Sequence, residues 1–243
     1  MRRCPSHADA SGCRGLGMQH DATQETALDW DATGTPVSRR YGDCYFMPGH
    51  GLTESRHVFL AGNGLPERFR PGFHIAELGT GTGLNLIAAW AAWQHAGIPG
   101  DLRYTGFEAH PLRAPDIARA LAAFPELAPL AAPFVAAWAR APGRMALPGL
   151  DARVIAGDAR ATLPDWDGRA DAWFLDGFAP ARNPALWEPA LMIAVARHTA
   201  PGGSCASFTA AGHVRRALAA AGFAVDRRPG FGRKRHMTVG LLR

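Results

Sequence analysis

The sequence predicts an α/β fold with a mainly parallel sheet, helices on both of its faces and an antiparallel strand at its C-terminal end. Three observations lead to this prediction. Apolar strand-like segments alternate with helical ones from residue 73 onward, a glycine-rich turn joins the first strand to the first helix, and the last two apolar segments can close a hairpin. With 47% hydrophobic residues among 243, the chain can bury one sizeable core.

The first 70 residues are predicted to form a tail and a small elaboration. Residues 1–28 are rich in Ser, Gly, His and Asp and show no hydrophobic period, so a flexible tail is expected. Residues 29–243 form the predicted domain, with residues 29–70 as its N-terminal elaboration. Within the elaboration, RYGDCYFM (40–47) predicts a strand and TESRHVFLAG (53–62) predicts a short helix with Thr53 as its N-cap.

From residue 73 onward, predicted strands and helices alternate. Strands are expected at 73–78, 102–108, 151–157, 170–176 and 204–209, with 223–229 and 236–243 as the closing hairpin. Helices are expected at 84–96, 114–140, 184–199 and 211–222, with the second interrupted by Pro125, Pro129 and Pro133. Trp90 and Trp93 lie three residues apart on the first helix and are interpreted as core packing. In such a sheet the carboxyl ends of the strands border the ligand crevice, so the residues that follow each strand are candidates for a site.

The strongest motif is the glycine loop from Glu77 to Asn85, ELGTGTGLN, which follows a strand and opens a helix. A dinucleotide fingerprint, G-x-G-x-x-G, has its third glycine one residue later. Here position 84 is Leu and an acidic residue ends the strand, a pattern similar to the first motif of S-adenosylmethionine (SAM) methyltransferases, which have a Rossmann-like class I fold. Glu77 is expected to approach the methionine amino group, directly or through water. The alternative is a structural glycine-rich turn. The candidate cofactor-binding residues of the loop are Glu77, Gly79, Thr80, Gly81, Gly83 and Asn85.

Two further acids end or follow predicted strands and are candidate cofactor ligands. Glu108 ends the second strand, where a carboxylate can bind both ribose hydroxyls. The alternative for Glu108 is a solvated carboxylate at a strand end. Asp158 follows the third strand and can accept a hydrogen bond from the adenine amine. The alternative for Asp158 is a helix N-cap, and both roles can hold at once.

The candidate catalytic residue is Asp176, which ends the apolar segment AWFLD and begins the sequence DGFAP. An acid, an aromatic residue and a proline at this place resemble the motif of amino-group methyltransferases. An alkylamine is mostly protonated at neutral pH, so Asp176 can accept its proton or hydrogen-bond its N–H and aim the lone pair. Phe178 can stack on a base or exclude water. The alternative for Asp176 is a turn residue that hydrogen-bonds its own backbone.

Charge and composition add further expectations. Arg233, Lys234 and Arg235 lie in GFGRKRH beside glycines and an aromatic residue, which suits a phosphate contact, although an ordinary solvated hairpin loop is the alternative. The net charge of +5 favours a polyanionic partner. The four cysteines form no CxxC pair, so no metal is expected. No apolar run reaches the ~18 residues of a membrane-spanning helix, and the N-terminus lacks the apolar region of a secretory signal, so a cytoplasmic location is expected.

Taken together, these motifs resemble the MnmC-type enzymes, the tRNA 5-methylaminomethyl-2-thiouridine methyltransferases, from about Trp30 to Leu242. The resemblance implies that Asp176 handles the substrate amine, that the glycine loop, Glu108 and Asp158 bind SAM, and that the Tyr45 region borders the active site. Thr80 and Ala109 depart from the family pattern, which often has an aromatic residue and a lysine there. The segments with the most specific resemblance are DGFAPARNPALW (176–187) and GFGRKRHM (230–237).

The resemblance implies a reaction and two partners. The substrate is the amine of 5-aminomethyl-(2-thio)uridine at the wobble position, presented by a tRNA anticodon stem-loop. Some family members have a second, FAD-dependent oxidase domain that makes this substrate; none is present in this sequence, so a stand-alone methyltransferase and a separate oxidase are expected. Three other functions stay open: a SAM-dependent methyltransferase of a small-molecule amine, a non-catalytic tRNA- or SAM-binding module, and an NAD oxidoreductase, which the loop spacing disfavours.

Overall fold

The computed structural model describes residues 28–243. The predicted tail therefore lies outside the described residues, apart from Leu28, which is buried and begins the first strand. A small antiparallel sheet comes first, in the order β1-β2-β3. Its strands are β1 (Leu28–Trp30), β2 (Pro36–Ser38) and β3 (Asp43–Cys44).

The main sheet has eight strands in the order β10-β11-β9-β8-β4-β5-β7-β6 within the described residues. The pairs β9–β8, β8–β4, β4–β5 and β5–β7 are parallel, whereas β6 and the C-terminal hairpin pair antiparallel to their neighbours. The predicted fold class is thus confirmed. The strands are β4 (His74–Leu78), β5 (Leu102–Glu108), β6 (Arg144–Leu147), β7 (Leu150–Ala156), β8 (Ala170–Leu175), β9 (Thr199–Ser207), β10 (Phe223–Pro229) and β11 (His236–Leu242).

Helices cover both faces of the main sheet, because successive residues of a strand point to opposite sides. On β8, Phe174 packs into one core and Trp173 into the other. Trp90 and Trp93 are buried in the first core, as predicted. The helices are α1 (Gly51–Ser55), α2 (Leu84–Ala96), α3 (Ala114–Leu121), α4 (Ala128–Arg140), α5 (Ala159–Thr162), α6 (Pro189–Arg197) and α7 (Gly212–Ala220).

Two predictions for the N-terminal elaboration were wrong. Only Asp43–Cys44 of the predicted strand 40–47 pairs as a strand. The predicted N-cap Thr53 lies inside α1, because the helix begins at Gly51 and the backbone N–H of Glu54 donates to the carbonyl of His50 at 2.8 Å. The residue before the helix, His50, makes no side-chain cap hydrogen bond, so no capping side chain marks this start.

Prolines divide two of the predicted helices: the interruption predicted at Pro125 is confirmed, whereas those predicted at Pro129 and Pro133 were wrong, because both lie within α4. Phe124, before Pro125, leaves the helical conformation, so residues 114–140 form α3, a 3-10 turn at Pro125–Leu127 and α4. Glu188, before Pro189, has an extended backbone that separates a 3-10 turn at Pro184–Trp187 from α6. The ring of a proline clashes with a helical conformation of the preceding residue. Strand β6 was not predicted.

The elaboration and the rest of the domain share one core. Leu28, Leu52 and Val58 pack in the same hydrophobic cluster as α2 and the sheet. The boundary placed at residue 70 stays a prediction. Among the described residues no single helix is long and apolar enough to cross a membrane; one pair, Ala114–Leu121 with Pro125–Arg140, meets the length and composition criteria but is bent by 119°.

Candidate active site

A cavity of about 1280 Å³ opens at the carboxyl ends of β4, β5, β7 and β8, where the parallel sheet was expected to place a site. The N-terminal elaboration forms one of its walls, from Ser38 to Met47 and at Glu54 and Ser55. The predicted site residues that line the cavity are Tyr45, Gly79, Thr80, Gly81, Asn85, Glu108, Asp158, Asp176, Phe178 and Lys234.

The glycine loop between β4 and α2 has the shape that its sequence predicts. Gly79 has φ +76°, and a Cβ there would lie 3.0 Å from the backbone oxygen of Asp176. Gly83 also has φ +76°, and a Cβ there would lie 2.8 Å from the Phe134 ring. A side chain at either position would meet both backbone strain and a neighbouring atom. The loop therefore brings its backbone against the start of the DGFAP segment.

Glu77 lies behind the cavity wall, and the approach to the methionine amino group predicted for it, directly or through water, stays a prediction. Its carboxylate is fully buried and does not line the cavity. The Tyr104 hydroxyl donates to Oε2 at 2.7 Å, and the Asn85 amide donates to Oε1 at 2.7 Å. Burial, together with the nearby Asp176, raises the pKa of Glu77 well above its usual range. Glu77 is thus linked by a hydrogen bond to Asn85, which lines the cavity.

Asp176 directly follows β8 and is partly exposed to the cavity. The backbone N–H of Gly177 donates to Oδ1 at 2.8 Å, and the Asn85 amide donates to Oδ2 at 2.7 Å. Burial raises the pKa of Asp176 to about 7, against the lowering effect of these two donors. A carboxyl group with a pKa near neutrality can take up and release a proton under physiological conditions, which is the property of a general base.

Glu108 and Asp158 lie where the sequence predicts, and both already have partners. Glu108 accepts the backbone N–H of Gly81 at 2.9 Å and that of His110 at 2.8 Å. Asp158 accepts the backbone N–H of Arg160 at 2.9 Å as the N-cap of α5, which confirms the alternative role foreseen for it. Hydrogen bonding to the Arg160 side chain lowers the pKa of Asp158. The cofactor contacts of both acids stay predictions.

A group of three aromatic side chains, Tyr41, Tyr45 and Phe178, lines the same cavity, and one of them, Phe178, lies two residues after Asp176 in the chain. Phe178 stacks on Tyr41 with ring centroids 4.7 Å apart, and Tyr45 meets Phe178 edge-on at 5.1 Å. Asp43 accepts the backbone N–H of Ala179 at 3.0 Å, which ties β3 to the DGFAP segment. Tyr41 was not predicted as a site residue. It belongs to RYGDCYFM, but no local signal showed that this segment folds over Phe178.

Of the three cations grouped in the sequence, Lys234 has an acidic partner and lines the main cavity. Its ammonium lies 2.8 Å from Oε1 of the buried Glu54 and 4.2 Å from the centroid of Phe208, facing the cavity. Arg233 and Arg235 are exposed as well, and Arg235 and Lys234 both line a second cleft. The phosphate contacts predicted for these three cations stay predictions, and the structure adds that Lys234 is paired with Glu54. Glu54 and its partner lie 180 residues apart, which explains why the sequence did not suggest the pair.

Comparisons with known proteins agree with this geometry. The family model described as S-adenosyl-L-methionine-dependent methyltransferase matches residues 125–243. The solved structure of MNMC2 from Aquifex aeolicus superposes with a TM-score of 0.71 at 25% identity, covering 92% of this chain and 72% of the other.

Two curated relatives are the tRNA 5-methylaminomethyl-2-thiouridine biosynthesis bifunctional proteins MnmC of Pseudomonas paraeruginosa and Caulobacter vibrioides. The first is 48% identical over 228 residues, 89% of this chain and 35% of the relative. The second is 49% identical over 221 residues, 88% of this chain and 37% of the relative. The chain thus spans about a third of the length of these relatives. From its fold, its glycine loop and these matches, the chain belongs to the S-adenosyl-L-methionine-dependent methyltransferases of the MnmC type.

Proposed function

We propose that this protein transfers a methyl group from SAM to the amine of 5-aminomethyl-(2-thio)uridine at the wobble position of tRNA. The products are the 5-methylaminomethyl nucleoside and S-adenosylhomocysteine. The observation on which the proposal rests is Asp176, a cavity-facing carboxyl group with a pKa of about 7 whose backbone touches the glycine loop. The names of the curated relatives, which refer to 5-methylaminomethyl-2-thiouridine biosynthesis in tRNA, support the choice of substrate.

The cavity residues fit SAM. The glycine loop lines the cavity at Gly79, Thr80 and Gly81, and the Thr80 hydroxyl is a buried polar group without a hydrogen-bond partner in the described part of the chain. Glu108 and Asp158 add carboxylates that suit ribose hydroxyls and an adenine amine. We assign cofactor binding to the loop and these two acids. When bound, SAM supplies an electrophilic methyl group on a sulfonium.

Asp176 would prepare the substrate nitrogen for attack. Its carboxylate accepts a proton from the ammonium group, which leaves a neutral amine held by a hydrogen bond and aimed at the methyl carbon. The neutral nitrogen would then be positioned to take the methyl group that bound SAM would supply. Phe178 and Tyr45 offer aromatic faces for a pyrimidine splayed out of the anticodon loop. Asp176 finally loses its proton to solvent.

A second cleft supports an RNA chain as the partner. Its volume is about 370 Å³, and it shares Ala179, Phe208 and Lys234 with the main cavity. Arg235 and His236 line it as well and are exposed. Nucleotides next to the target base could follow this cleft with their phosphates near the cations. We therefore propose the tRNA anticodon stem-loop as the partner and the cytoplasm as the location. An FAD-dependent oxidase is the expected source of the aminomethyl group.

The salt dependence of RNA binding tests the proposed contact between RNA phosphates and the cations of this cleft. Arg235→Gln should weaken binding of an anticodon stem-loop and reduce the slope of log K against log salt by about 1, because one phosphate contact is lost. Fluorescence anisotropy measured at salt concentrations from about 50 to about 200 mM gives this slope. The control is Arg103→Gln, which removes an exposed arginine at the amino end of β5, on the opposite edge of the sheet. Equal slopes for wild type and Arg235→Gln would exclude the contact.

Identification of the product tests the function itself. The protein is incubated with methyl-labelled SAM and tRNA from a strain that lacks the modification, and the digested nucleosides are identified by mass. We expect label in 5-methylaminomethyl-(2-thio)uridine. Label on small amines without tRNA, with little salt dependence, would instead indicate a small-molecule N-methyltransferase. No label in either case would favour a binding module.

A further inference from the structure

We propose that Asn183 is a specificity-determining residue that binds the edge of the target pyrimidine: its amide accepts the N3–H of the base and donates to the neighbouring carbonyl oxygen. The inference rests on the proposed function, because it requires a uridine derivative in the cavity. Asn183 belongs to the segment DGFAPARNPALW, but neither the sequence motifs nor the comparisons give it a role.

The turn that follows Phe178 brings Asn183 to the main cavity. The backbone N–H of Asn183 donates to the carbonyl of Ala179 at 3.0 Å, and the Trp187 indole donates to the carbonyl of Phe178 at 3.0 Å, so the segment folds back on the aromatic residue. Of residues 180–184, only Asn183 lines the main cavity. The other lining residues of this segment are apolar, namely Phe178, Ala179, Ala185 and Leu186. A single polar group on such a wall can fix the orientation of a ligand.

The fold does not use the amide of Asn183. The chain has two other asparagines, Asn63 and Asn85, and in both the buried Nδ2 donates twice and Oδ1 accepts once. Asn183 is only partly buried and makes no side-chain hydrogen bond with a described residue, not even the cap bond that is common for an asparagine before a helical turn. Its non-helical backbone, with φ −134° and ψ 70°, is favoured by the following Pro184. The amide is therefore left for a ligand.

The chemistry of an amide matches the edge of a uracil ring, on which the N3–H donor lies between two acceptors. Oδ1 accepts while Nδ2 donates, so Asn183 can pair with N3–H and the O4 carbonyl at once, whether or not position 2 carries sulfur. An ionised Asp43 can only accept, and its two oxygens already hold the backbone N–H groups of Cys44 at 3.1 Å and Ala179 at 3.0 Å. Lys234 can only donate. Asn183 is thus better suited to this edge than either charged neighbour of the Phe178 segment.

Kinetics with two anticodon stem-loops test the inference. For a stem-loop with 5-aminomethyluridine, Asn183→Ala should lower kcat/KM by about ten- to hundredfold, because the base loses a two-point contact, and should leave SAM affinity unchanged. A stem-loop with 5-aminomethyl-3-methyluridine lacks the N3–H. Wild type should therefore be slow with it, whereas Asn183→Ala should treat the two stem-loops alike, since the added methyl group occupies the space of the missing amide.

Three kinetic outcomes would overturn the inference: an undiminished kcat/KM in Asn183→Ala, a loss confined to SAM affinity, or an equal penalty from the 3-methyl group in wild type and variant. Asn183→Leu keeps the approximate volume of the side chain and should show the same loss as Asn183→Ala. The matched control is Gln94→Ala, which removes an exposed amide on α2 that does not line the cavity. Its kcat/KM for both stem-loops should equal that of wild type.

NMR of the wild-type protein separates this inference from the proposed function. The side-chain amide ¹H–¹⁵N signal of Asn183 should shift when the 5-aminomethyluridine stem-loop is added and should stay in place with the 3-methyl stem-loop. Equal shifts with both stem-loops, or a shift with neither, would overturn the inference. If the protein binds the first stem-loop but transfers no methyl group to it, the proposed function is rejected, and the amide signal still decides whether Asn183 contacts the base.

Discussion

Replacing Asp176 by alanine should lower turnover by a factor of about 10²–10⁴ and leave the affinity for SAM nearly unchanged. The loss follows from two effects, the missing proton acceptor and the missing hydrogen bond that aims the amine. The loop glycines, Glu108 and Asp158 remain in place, so the proposed cofactor contacts persist. Asp176→Asn, which keeps the size but cannot accept the proton, should show a similar loss.

Single-turnover rates with modification-deficient tRNA and calorimetric titration with SAM measure the two quantities separately. Asp151→Asn serves as the control, because Asp151 is an exposed acid near the amino end of β7, on the opposite edge of the sheet from the cavity. Its turnover should match wild type. Undiminished turnover in Asp176→Ala would reject the role assigned to this carboxyl group.

Gly79→Ala should weaken SAM binding by about tenfold or more. Alanine at φ +76° costs about 1–2 kcal/mol in the backbone, and its Cβ would lie 3.0 Å from the Asp176 oxygen and 3.1 Å from Gly177 Cα. Both neighbours are backbone atoms, so the loop or the DGFAP segment must move. Turnover should also fall, since Asp176 belongs to the segment that is displaced.

Gly97→Ala is the matched control for this prediction. Gly97 ends the same helix, α2, with a similar φ of +64°, but a Cβ there would meet nothing within 4 Å. It should cost a comparable backbone penalty, about 1 kcal/mol in the free energy of unfolding, and leave SAM affinity unchanged. Thermal unfolding and calorimetric titration of both variants make the comparison. If Gly79→Ala and Gly97→Ala bound SAM equally well, the close approach of Gly79 to the Asp176 backbone would have no effect on cofactor binding.

Much of the fold and of the site could be predicted from local patterns. Strand and helix segments are recognisable from their period, and glycine spacing separates this loop from a dinucleotide fingerprint. The interruption at Pro125 was predicted, and the break before Pro189 follows from the same rule, because the constraint of a proline acts on the residue directly before it. The start of α1 at Gly51 was not predicted, because its N-cap residue, His50, makes no side-chain cap hydrogen bond and so leaves no capping signal in the sequence.

The sequence by itself therefore determined the fold class, the methyltransferase type of the glycine loop and the candidate acid at residue 176, because each depends on residues adjacent in the chain. Only the tertiary structure decided that Glu77 turns inward and that Ser55 meets Asn85, 30 residues away. It alone paired Lys234 with Glu54, 180 residues away. Such contacts depend on distances in space, and the burial that raises the pKa of Asp176 arises only when those distant segments pack together.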